Sequence, residues 1–229
     1  MPENARERIL ARLARGAGAE SVAEPDFAVM ERRAVPREER YARLRRAMEA
    51  VHAEFLEASE EDWPRRVRDF AEDQGIRSIA YGPGTEAAPR LEAAFRGSAV
   101  RLVPYDRPIE EGKRALFEEV DAGFTTTRGG IADTGGLILW PGPEEPRLLS
   151  LVPPVHLALL DPARIHGSFW HAIREHGWAG RMPPNALLVS GPSKTADIEQ
   201  TLAYGVHGPK RLVVVAVTEV PETPDRGPA

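Results

Sequence analysis

The sequence has no cysteine in 229 residues. This excludes disulfides, a cysteine nucleophile, zinc-thiolate sites and cysteine-ligated iron–sulfur clusters from this chain, so any such redox centre must sit on another protein. Long hydrophobic runs are also absent. No stretch nears the roughly 18 apolar residues of a membrane span. The opening "MPENARERILARLARG" alternates charged and apolar positions and shows no signal-peptide core. The expected compartment is the cytoplasm, with no membrane span. Basic charge is not in excess either: 35 acidic against 30 basic side chains give a net charge of −5, which argues against general nucleic-acid binding. Several signatures are missing as well: the dinucleotide G-x-G-x-x-G, the Walker loop (Ser193 stands before Lys194 where it needs glycine), the G-x-S-x-G elbow and the H-E-x-x-H helix.

What remains is enough apolar residue, 42%, to build a core. Residues 5–17 and 38–58 carry apolar positions at helical spacing; in the second, Leu44, Met48, Val51 and Phe55 fall on one stripe. The prolines Pro25 and Pro36 mark a connection between them. A further helix is predicted over 63–73, ended by Gly75. From there strands and helices alternate. Strands are predicted at 76–81, 99–103, the "AGFTTT" run, 137–140, 155–160, 186–190 and 211–217. Helices are predicted near 113–120, 165–176 and from Ala196. The pattern predicts an α/β fold whose mostly parallel sheet is flanked by helices. One link is too short for a parallel crossover, the "RGGIADTG" between "AGFTTT" and "GLILW", so the sheet is expected to be mixed. The organisation read from this is an N-terminal helical extension over 1–60, an α/β domain over 61–218 and a proline-rich flexible tail over 219–229.

Three segments carry more polar chemistry than a core needs. In "TTTRGGIADTGG" the glycines, among them Gly135 and Gly136, allow close approach of a ligand to backbone, Thr125 opens the stretch, and Asp133 with Thr134 pairs a carboxylate with a hydroxyl. The plain alternative is a glycine-rich hairpin with an Asx turn; Arg128 is either an anion contact or a solvated loop charge. In "SLVPPVHLALL", His156 starts an apolar strand as a ligand or as a satisfied core histidine. In "SGPSKTADIEQTLAYGVHGP" the turn Ser190, Gly191, Pro192, Ser193 leads to Thr195, read as a helix cap, with Asp197 and Glu199 in the first helical turn. Ile198, Leu202 and Val206 continue as an apolar stripe, and His207 follows between Gly205 and Gly208, held where its ring can reach outward. Capping and helix-dipole contacts explain the same residues without a site. "YGPGTE" is another turn after a strand that could contribute to a cleft, and the spacing of His166, His171 and His176 is poor for a metal.

The ordered set "IADTGGLIL", "LSLVPPVHLALL" and "SGPSKTADIEQTLAYGVHGP" resembles the LUD-domain family. The resemblance implies a fold similar to the sugar-phosphate isomerase, coenzyme A transferase and formyltetrahydrofolate cyclo-ligase group. It also implies a bacterial protein that acts with two iron–sulfur partner proteins in oxidation of L-lactate to pyruvate. No cluster is expected in this chain; the partners would carry them, and no other cofactor or metal is assigned. Where the family commonly has A-E-T-G-T, this chain has Ala132, Asp133, Thr134, Gly135 and Gly136, so charge is kept and one hydroxyl is lost. Three readings stand. In the first, the chain is a subunit whose polar cleft binds a small molecule, with Asp133, Asp197, Glu199 and His207 as its lining and as the candidates for catalysis. In the second it is a free-standing transferase- or ligase-like enzyme using His207 or a carboxylate as acid or base. In the third it is a non-catalytic scaffold.

Overall fold

The computed structural model describes residues 4–16, 26–31, 35–107, 109–196, 202–205 and 207–218. The tail expected over 219–229 lies outside them. The chain forms two compact units, Met1–Arg32 and Arg33–Ala229. The first carries α1 (Ala5–Gly16) and the short α2 (Ala28–Glu31); Asn4 Oδ1 accepts from Arg6 N at 3.2 Å and Asp26 Oδ1 from Ala28 N at 2.9 Å, satisfying donors that open helix ends leave free.

The second unit begins with a 3₁₀ turn (Arg37–Glu39) running into α3 (Arg40–Glu49). It continues through β1 (Glu54–Ala58), α4 (Trp63–Asp73), β2 (Ser78–Tyr81), α5 (Ala88–Ala94), β3 (Arg101–Pro104) and α6 (Ile109–Arg114), which a π-helical turn (Ala115–Glu119) extends. Then come β4 (Ala122–Thr126), the hairpin β5 (Gly129–Ile131) and β6 (Gly136–Leu139), α7 (Leu148–Leu151) and β7 (Val155–Leu160). After a 3₁₀ turn (Pro162–Arg164) follow β8 (Ile165–His166), α8 (Phe169–Glu175), α9 (Trp178–Arg181) and β9 (Leu187–Val189). The chain closes with β10 (Lys194–Ala196), β11 (Leu202–Tyr204) and β12 (Arg211–Val217).

Six strands form one sheet in the order β1-β12-β7-β4-β2-β3, with every pairing parallel. The antiparallel pairing expected around "RGGIADTG" exists, but in a separate four-stranded sheet, β8-β5-β6-β9, so β4 and β6 are not partners. Both faces of the central strands are covered, which is why β7 and β12 are apolar at most positions. Along β12, Val213 and Val215 pack with Trp63, Val67 and Phe124 under α4, while Leu212 and Val214 pack with Leu44, Met48 and Leu137 under α3. Trp63 stacks on Phe124 with ring centroids 5.7 Å apart, an anchor for the β1–α4 corner.

Two expected helices differ. The helix read over 38–58 ends at Glu49: His52 takes a left-handed φ of 69°, Ala53 N donates back to Met48 O, and Glu54–Ala58 leaves as β1 to pair with Glu54↔Val213 register. Pairing with a strand far along the chain outweighs the local helical spacing, so the chain enters the sheet inside the segment read as a helical extension. The helix read from Ala196 is also replaced. Thr195 lies in β10 opposite Ala203 of β11, and Ala196 opposite Leu202, in a small antiparallel hairpin, so Thr195 is not a helix cap there. Ile198, Val206 and the acidic positions Asp197 and Glu199 lie outside the described residues.

Candidate functional site

From β2 the chain crosses to β3 on one side, and from β4 it proceeds to β7 on the other. Divergence of crossovers between adjacent parallel strands opens a crevice beyond their carboxyl ends. A cleft of about 840 Å³ lies there. Its walls are the turn after β2 (Gly84, Thr85, Glu86), the end of β4 (Thr126, Thr127, Arg128) and the loop after β6 (Glu144, Glu145). The 82–86 turn is drawn against this last loop: a Cβ on Gly82 would fall 2.1 Å from Glu144 O, so only glycine fits. The turn in "YGPGTE" therefore does line a cleft.

Glu145 is the most perturbed group in it. Thr126 N donates to Oε1 at 2.8 Å and Thr126 Oγ1 to Oε2 at 2.9 Å. Burial pushes its carboxyl up to about 7, against the opposing pull of those hydrogen bonds and of Arg128. A carboxyl poised near neutrality can give or take a proton at working pH. Three arginines face the same space. Arg90 lies over the Trp63 ring at 5.3 Å and pairs with the Glu60 carboxylate. Arg128 lies over Trp140 at 5.8 Å. Arg164 is 3.3 Å from Asp161. Guanidinium groups with free donors suit carboxylate and phosphate ligands. No group of three or more metal-type ligands occurs among the described residues.

Apart from Arg128 and the 84–86 turn, the residues singled out in the sequence fall elsewhere. Thr125 and His156 are fully buried, Oγ1 and Nε2 2.8 Å apart, and burial lowers the imidazole to about 4; this is a core pair. Asp133, in the hairpin turn, takes Arg43 Nη2 at 3.3 Å. The loop glycines serve packing: a Cβ on Gly130 would meet Leu44 Cδ1 at 2.3 Å, and one on Gly135 would meet Ala47 Cβ at 2.4 Å, so α3 rests on the hairpin.

The structure does join the three polar segments into one strip. Gly136 faces Thr134 Oγ1 and Ser190 Oγ, and Gly191 faces Val51. Pro192 leads to Ser193, whose N donates to Pro209 O at 2.8 Å and whose O accepts from Gly205 N at 2.9 Å, with Gly208 packed beside it. His207 is exposed. Lys210 N bonds Pro154 O, which fixes this strip at the amino end of β7, whereas the cleft takes Leu159 and Asp161 from its carboxyl end. Of the candidates read from the sequence, Arg128 and the 84–86 turn line the cleft, whereas Asp133, His156, Ser190, Ser193 and His207 do not. Glu145, Arg90 and Trp63 carried no signal in the sequence beyond their residue types.

The LUD domain model matches residues 41–217, nearly the whole span from α3 to β12. The chain belongs to the LUD-domain family. Within that family, it is 42% identical over 172 residues to an uncharacterized protein of Neisseria meningitidis serogroup B, covering 75% of this chain and 74% of that protein. It is 25% identical over 227 residues to lactate utilization protein C of Oceanobacillus iheyensis, covering 93% and 97%. A crystal structure of a DUF162 family protein from Deinococcus radiodurans shares the fold, with a TM-score of 0.61 at 20% identity over 80% of this chain and 99% of that one. As in that fold, this LUD domain is built on a parallel sheet flanked by helices. Among the described residues, no helix is long and apolar enough to cross a membrane.

Proposed function

We propose that this LUD-domain chain is a cytoplasmic subunit of an L-lactate utilization system, and that it binds a small-molecule ligand in the cleft beyond β2 and β4. Similarity to lactate utilization protein C over nearly its full length supports the process. The observation that carries the ligand site is Glu145: a partly buried carboxyl, held at both oxygens by Thr126 and pushed up to about 7, in a crevice with Arg90 and Arg128. In the overall reaction L-lactate loses two electrons and two protons to become pyruvate. The electrons pass to two iron–sulfur partner proteins, because this chain has no cysteine to hold a cluster. Its own role is to bind and orient the ligand and to carry a proton on Glu145.

Purified alone, the chain should not oxidise lactate with an artificial electron acceptor, and activity should appear when the iron–sulfur partners are added. Oxidation by the isolated chain would favour a free-standing enzyme, with Glu145 as its acid or base. Failure of the partners to restore activity, with this chain folded, would overturn the subunit reading.

A further inference from the structure

A second, smaller cavity of about 290 Å³ borders the cleft and shares Arg128 and Arg164 with it. Its other charged or titratable walls are Arg40, His166, Glu175 and His176. Arg40 is held in place from α3: its Nε donates to Val35 O at 3.1 Å and its Nη1 to Ile165 O at 3.0 Å. Three of its five N–H donors are not used by these bonds. His166 from β8 and His176 from the end of α8 meet with Nε2 atoms 3.1 Å apart, so one carries the hydrogen and the other accepts it. Glu175 Oε2 is 2.7 Å from His166 Nδ1, outside hydrogen-bond alignment and an ion pair only when the imidazole carries a second proton. Trp178 stacks on His176 with centroids 6.1 Å apart, which fixes the ring.

We infer that this cavity is a binding site for a dianionic oxyanion of the phosphate-monoester kind, whose uptake is coupled to protonation of the His166–His176 pair. Three guanidinium groups face it against the carboxylates of Glu175 and, on Arg164, Asp161. With neutral imidazoles the lining is one positive charge in excess, and one proton on the pair raises that to two, matching a dianion. Planar guanidinium forks on different elements suit tetrahedral oxygens better than a single lysine does.

The groups that act on His176 are named by its surroundings. Burial is the main opposition to its charge, His166, Arg128 and Arg164 add to it and Glu175 favours the charge, so without an anion its pKa is held below the ordinary value. An anion seated between Arg128, Arg164 and the pair reverses that balance, and proton uptake follows by linkage. Because the cavity opens beside the main cleft, a phosphorylated molecule can place its phosphate here and its body there. This goes beyond the lactate reading and does not depend on it.

Calorimetric titration of the full chain with sulfate, whose charge is constant near neutrality, tests the site directly. Sulfate should bind, acetate and L-lactate should bind at least about tenfold more weakly, and chloride at equal ionic strength should not compete. Affinity for sulfate should rise at least about threefold from about pH 8 to about pH 6. Arg128→Gln should weaken binding about tenfold or more, with Arg164→Gln as a second variant and melting curves to confirm folding. His176→Asn should retain sulfate binding at about pH 8 but lose the rise at lower pH. Glycerol phosphate binding more tightly than inorganic phosphate would identify the site as the head of a larger ligand site; equal binding would identify a free-anion site. No sulfate binding, equal binding of acetate, or a pH dependence that survives in His176→Asn would overturn the proposal.

Discussion

Glu145 is bound at both carboxylate oxygens by one residue, Thr126, through its backbone N–H and its hydroxyl. Those two bonds favour the ionised form, yet burial prevails and the carboxyl is pushed up to about 7. Desolvation therefore outweighs two hydrogen bonds and the charge of Arg128 at this point of the cleft.

The first prediction follows from the sign of that shift. An unfolded glutamate ionises near its ordinary value of 4.5, so the folded state holds the extra proton between about 4.5 and about 7. Stability contributed by this group falls as pH rises through that window. Glu145→Gln, neutral throughout, should gain melting temperature relative to wild type as pH goes from about 5 to about 8. Parallel melting profiles for the two proteins would show an ordinary carboxyl.

His156 has the opposite sign. Its folded value is lowered to about 4 from 6.5, so the unfolded chain takes the proton first as pH falls. The stability is complete above about 6.5 and is lost toward about 4, to a limit of roughly 3 kcal/mol. Thr125→Val removes its hydrogen-bond partner and should cost about 1–3 kcal/mol in urea denaturation at neutral pH. An unchanged midpoint would mean that the 2.8 Å contact contributes nothing.

Gly82→Ala would force a methyl group to within 2.1 Å of the Glu144 carbonyl. The loop carrying Glu145 must move, at a cost of about 1–3 kcal/mol. The pH dependence of melting assigned to Glu145 should shrink in this variant. Retention of both stability and pH profile would show that the two loops are not in contact in solution.

The two polar regions can be separated genetically. His207 is exposed, so His207→Ala should melt within a few degrees of wild type, a loss of about 1 kcal/mol or less. With the ligand in the cleft, it should still support growth on lactate in a strain lacking its own copy, whereas Glu145→Gln and Arg90→Gln should not. Loss of growth in His207→Ala with normal melting, and growth in both cleft variants, would move the ligand site to the strip of Thr134, Ser190 and Ser193.

Much of the fold was legible because it is local. The runs that became β7 and β12 are apolar apart from His156 and Arg211, and α4 carries proline at its second position and stops before Gly75. The strand Glu54–Ala58 was not legible: Phe55 continues the stripe of Leu44 and Met48, and only pairing with Val214 of β12 makes it a strand. The hairpin of β10 and β11 was hidden by the helical spacing of Ile198, Leu202 and Val206. The cleft was legible only as the turn in "YGPGTE" and the loop charge of Arg128. Glu145 sits in "WPGPEEPR", a loop without period, and its burial arises from Gly82 and Thr126, residues far from it in sequence. Of the glycines read for ligand approach, Gly130 and Gly135 are approached by α3, whereas Gly129 faces Arg164 O and Gly136 faces Ser190 Oγ.

Thr125 and Thr126 are neighbours on β4, and alternation sends one hydroxyl to His156 in the core and the other to Glu145 in the cleft. A frame error of one position in that strand would exchange the two, setting a hydroxyl meant for a neutral buried ring against a titrating carboxyl. Evolution can therefore lengthen or rewrite the loops around the cleft more freely than it can insert or delete one residue in β4, where a single peptide unit keeps core and cleft in phase.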